Sequence, residues 1–96
     1  MMQRILKIIE RAEVLDEVAL STIGGARLDI LLRGPGVGGL TRHDLAVFAD
    51  RGVRVFFVSE DAAARGIGPE RAAGAEPIEQ GALPRLLADY DQVWHW

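Results

Sequence analysis

Between positions 53 and 58 the chain reads VRVFFV, an apolar run interrupted only by Arg54. A strand with apolar side chains at consecutive positions has no polar face to turn toward water, so it must be covered on both sides. That condition is met at the centre of a parallel sheet with helices on each face, where successive strands are joined by crossover segments. The remaining sequence is organised in the same way. Residues Arg4 to Ile9 form a first aliphatic strand, ending at Glu10 and Arg11. From 12 to 23, Val14, Leu15, Val18, Ala19 and Thr22 recur at helical spacing before Gly24-Gly25. Leu28 to Leu32 is a second strand, broken in polarity by Asp29, and it runs into a glycine-rich stretch from Gly34 to Gly39 that reads as a tight turn.

A helix over 44–50, closed by a left-handed Gly52, leads into the central strand. Ser59 follows it as an expected N-cap, with Glu60 and Asp61 in the first turn of a short helix that stops at Gly66. Pro77-Ile78 is a brief edge strand. Leu83 to Tyr90 is a last helix with Pro84 in its first turn, and Gln92 to Trp96 is a closing strand. The order βαβαβα(β)αβ calls for a three-layer α/β/α sandwich around a mostly parallel sheet of about five strands, and residues 1–96 form a single domain.

Composition narrows function by exclusion. There is no cysteine, so the chain cannot form a disulfide, a persulfide or a thiolate nucleophile. A net charge of -3 argues against a protein that binds nucleic acid alone, because phosphate contacts require an excess of Lys and Arg. The N-terminal segment lacks the apolar stretch of a signal sequence, which makes the cytoplasm the expected compartment and leaves no membrane role. His43 and His95 have no partner at ligand spacing, and Ser21 and Ser59 lack the context of an activated nucleophile, so neither a metal site nor a catalytic residue is expected.

In a parallel α/β sheet, ligands gather at the carboxyl ends of the strands. The residues expected there are Arg11, Arg33, Gly34, Gly36, Ser59, Glu60 and Asp61. Gly34, Gly36 and Gly39 spell a dinucleotide-like G-x-G-x-x-G, with Glu60 at the end of the next strand. Pro35 removes one backbone donor from that loop, and too little chain follows Glu60 for a second nucleotide-binding half. A structural glycine turn is the better reading, and no cofactor is expected. On the last strand, an expected edge strand, Trp94 and Trp96 read as core or interface anchors rather than ligand stackers, and His95 between them reads as a surface or interface residue rather than a catalytic one.

Three segments together resemble the DsrH/TusB family of small sulfur-relay proteins: DILLRGPGVGGL at 29–40, GVRVFFVSEDAAARGI at 52–67 and LADYDQVWHW at 87–96. The resemblance implies a DsrEFH-like domain working beside DsrE/TusD-like and DsrF/TusC-like subunits in a cytoplasmic heterohexamer. Such a complex passes persulfide sulfur toward tRNA 2-thiouridine or within dissimilatory sulfur metabolism. In the DsrE/TusD type, a cysteine just after the third strand carries the sulfur. The comparable segment here is Val58-Ser59-Glu60, and serine forms no persulfide. Gly38-Gly39 is a further departure, standing where relatives often place an aromatic residue or alanine. The expected role is that of a non-catalytic subunit within a sulfurtransferase complex. The alternatives are a small nucleotide- or ligand-binding α/β protein, or a stand-alone homodimer of the same fold.

Overall fold

The computed structural model describes residues 3–11, 26–41, 48, 50–68, 70 and 74–95. The expected helix over 12–23 with its Gly24-Gly25 stop, His43, most of the expected 44–50 helix, and Trp96 lie outside these residues. Five strands are described: β1 (Gln3–Ile9), β2 (Ala26–Leu32), β3 (Val55–Val58), β4 (Ala75–Ile78) and β5 (Gln92–His95). They lie in the order β4-β3-β2-β1-β5, and every neighbouring pair is parallel. The sheet is thus wholly parallel among the described strands. Two short α-helices, α1 (Ser59–Ala64) and α2 (Leu83–Ala88), follow β3 and precede β5.

Because side chains alternate along a strand, each central strand feeds two cores. One face carries Ile9, Ile30, Leu32, Val55 and Phe57, packed against Val37, Leu40, Phe48 and Ala62. The opposite face carries Leu6, Ile8, Leu31, Phe56 and Val58 under Leu86 and Tyr90. All four residues of β3 are buried, which is the double coverage that VRVFFV demands. Among the described residues no helix is long and apolar enough to cross a membrane.

Two sequence expectations are corrected here. The stretch after β2 is an eight-residue 3-10 helix, Gly34–Thr41, rather than a tight turn, and its Val37 and Leu40 are fully buried. Packing those two side chains beneath the sheet edge offsets the poorer hydrogen-bond geometry of so long a 3-10 segment. Ser59, moreover, is the first residue of α1 and not its cap. Its extended N-cap is Val58, and no side chain caps the helix. The expected glycine stops at Gly52 and Gly66 are present as left-handed residues, with φ of 77° and 69°.

Two buried polar residues stand out against this apolar interior. Lys7 lies at the middle of β1, in register with Ile30 of β2 and Trp94 of β5, and burial pushes its amine below the usual lysine range. Asp29, which breaks the polarity of β2, is 0% exposed. It accepts hydrogen bonds from the Tyr90 hydroxyl at 2.6 Å and the Arg54 backbone N–H at 3.0 Å, and Arg27 Nε stands 3.7 Å away.

Candidate functional site

The order β4-β3-β2-β1-β5 places the reversal of strand order between β1 and β5, since β2, β3 and β4 are added on one side of β1 and β5 on the other. In doubly wound sheets, ligand crevices open at such a point, beyond the carboxyl ends of the strands. Arg11, exposed just after β1, and His95, exposed at the end of β5, belong to this end of the sheet. Trp94 is half-buried on β5, and its indole N–H donates to Gln92 Oε1 at 2.9 Å. The sequence places Arg11 at a ligand or partner edge and Trp94 and His95 at an interface. The fold brings both sets to the same side of the sheet, β5 being an edge strand.

Arg33, Gly34 and Gly36 occupy the exit of β2. The Arg33 guanidinium is ion-paired with Glu10 at the exit of β1, and the Arg33 backbone N–H donates to the Ile9 carbonyl at 3.0 Å. The Gly34 N–H donates to Asp61 Oδ2 at 2.8 Å, so the acidic first turn of α1 binds the start of the 3-10 helix. Gly36 N–H is turned back onto the Arg33 carbonyl at 3.0 Å. A Cβ at Gly36 would run into the carbonyl oxygen of Ile9 and stand 2.8 Å from its carbon. Glycine is therefore required at 36 for close backbone approach, the 3-10 helix sitting directly against the end of β1.

Ser59 and Glu60 join the ends of β3 and β4. Ser59 Oγ lies 3.0 Å from Glu60 Oε1, to which it donates, and 3.3 Å from the Ile78 carbonyl. The Glu60 carboxylate accepts the Gln80 N–H at 3.0 and 3.1 Å, capping the short 3-10 turn Gln80–Ala82. Hydrogen bonds from its own backbone N–H and that of Gln80, with a contribution from Ser59, hold the Glu60 carboxyl below the usual carboxylate range. It is anionic at neutral pH.

These contacts decide what the edge can do chemically. A dinucleotide loop needs backbone donors aimed at a pyrophosphate and an acidic residue aimed at a ribose hydroxyl. In this chain Gly34 N–H is bonded to Asp61, Gly36 N–H to Arg33, and Glu60 to Gln80. The glycines and acids that imitate the motif are committed to bonds within the fold that tie the exits of β2, β3 and β4 together. Ser59 has a carboxylate of depressed pKa beside it, a weak proton acceptor that makes a poor general base. Among the described residues, no cluster of three His, Asp or Glu side chains is arranged to hold a metal ion.

Sequence reasoning missed the polar cluster at the opposite, amino-terminal end of the strands. There the Arg4 guanidinium stacks 5.1 Å from the Tyr90 ring centroid, Tyr90 bonds Asp29, and Arg54 donates from Nε and Nη2 to Glu76, both at 3.0 Å. The Arg4 N–H donates to Asp91 Oδ2 at 2.7 Å while the Asp91 N–H donates to the Arg4 carbonyl at 2.7 Å. The one signal for this cluster was Asp29 itself, a carboxylate set in an aliphatic strand.

No protein-family model and no curated protein matches this sequence. Solved structures match its fold. The ychN protein from E. coli superimposes with a TM-score of 0.69 at 13% identity, covering 100% of both chains. MTH1491 from Methanobacterium thermoautotrophicum, described as a protein of unknown function, superimposes with a TM-score of 0.73 at 15% identity, covering 98% of this chain and 99% of its own. At such identities the likeness is one of fold, and that fold is the DsrEFH-like α/β type expected from sequence.

Proposed function

We propose that this chain is a non-catalytic subunit of a cytoplasmic sulfur-relay complex, assembled with DsrE/TusD-like and DsrF/TusC-like subunits and serving tRNA 2-thiouridine formation or dissimilatory sulfur metabolism. The carrying observation is the side chain where β3 leaves the sheet. That position holds Ser59, whose hydroxyl is engaged with Glu60 and Ile78, in a chain that contains no cysteine at all. A thiolate is the group that accepts and donates sulfane sulfur. A DsrEFH-like domain without one contributes surface and positioning around a partner's cysteine. The half-buried Trp94 and the exposed His95 on edge strand β5, with Trp96 beyond them, are the residues this reading assigns to subunit contact.

Nucleotide binding is the weaker reading, because the donors and the acid that would serve it are already bonded within the fold. Native mass spectrometry of the chain mixed with DsrE-type and DsrF-type proteins of its own organism tests the proposal. A single assembly containing all three chains in equal number is expected. Three separate species, or a complex of this chain with itself alone under the same conditions, would overturn it in favour of the stand-alone homo-oligomer.

A further inference from the structure

We draw no further inference here: the strongest candidate, the outer edge of strand β5 with half-buried Trp94 and exposed His95, carries nothing because nothing among the described residues shows what covers it.

Discussion

Replacing Tyr90 by Phe removes one oxygen and keeps the ring that packs against Leu86 and under Arg4. The loss falls on Asp29, which is fully buried and, among the described residues, would retain the Arg54 N–H at 3.0 Å and Arg27 Nε at 3.7 Å. A hydrogen bond to a charged group contributes about 1.5–3 kcal/mol, and leaving its buried acceptor short of a donor costs at least as much. In a domain of this size each 1 kcal/mol moves Tm by about 4–8 °C, so a fall of roughly 8–16 °C is expected for a loss of about 2 kcal/mol. Differential scanning calorimetry measures it. The double variant Asp29→Leu, Tyr90→Phe removes both partners but also leaves the Arg54 N–H without its acceptor, so its total loss is expected to be smaller than the sum of the two single losses without returning to the parent. A Tyr90→Phe variant melting within about 2 °C of the parent would refute the assignment of this bond as a principal tie between β2 and the α2–β5 junction.

The same pair makes an optical prediction. Tyr90 is the only tyrosine, so tyrosinate absorbance reports it alone. Burial, reinforced by its bond to Asp29, raises the phenol well above the free value near 10. A folded-state pKa above the unfolded one means that this contribution to stability is fully present below about pH 10 and is lost as pH climbs through the folded value. Tyrosinate is therefore expected to appear together with alkaline unfolding, not before it. An ordinary titration in the folded protein would contradict the buried bond.

Gly36→Ala is expected to cost about 1–3 kcal/mol or prevent folding, because the added methyl meets the Ile9 backbone, which has little freedom to yield; urea denaturation measures this. Calorimetric titration with nicotinamide and adenine nucleotides is expected to give no binding in the low micromolar range, about -8 kcal/mol, and heats fitting such a constant would promote the ligand-binding alternative. Changing Trp94 and Trp96 together to Ala is expected to weaken association at least tenfold by sedimentation, with secondary structure retained by circular dichroism. A lower Tm with unchanged association would instead place the two rings in the core.

The fold was legible because its determinants are local. Val55–Val58 announces a strand covered on both faces, Gly52 and Gly66 mark helix ends, and Pro77 on β4 and Pro84 in the first turn of α2 occupy the positions such residues tolerate. The short strand around Pro77-Ile78 and the closing strand at Gln92 were likewise visible. What remained hidden was the pairing of groups distant in sequence. Ser59 looked like a cap because a serine before two acids caps many helices, yet its hydroxyl faces Ile78, 19 residues later. Glu60 imitated a ribose ligand until the fold set the Gln80 N–H, 20 residues away, against its carboxylate. Asp29 and Tyr90 are separated by 61 residues, and they meet because Leu86 and Tyr90 pack on the sheet face that carries Leu31. The glycine stretch misled for a different reason. Glycines suit a tight turn, a phosphate loop and a close packing contact equally well, and the short distance from Gly36 to the Ile9 carbonyl selects the last.

The most direct test of the proposed role is to follow sulfur itself. The reconstituted three-subunit mixture is incubated with a persulfide-loaded cysteine desulfurase, and the intact mass of each chain is then measured under non-reducing conditions. One added sulfur atom is expected on the cysteine-bearing DsrE-type partner, and an unchanged mass on this chain, which has no thiol to receive it. Transfer to the partner is expected to slow when this chain is withheld. Sulfur stably bound to this chain, or partner loading at the same rate without it, would contradict a non-catalytic subunit that positions the relay.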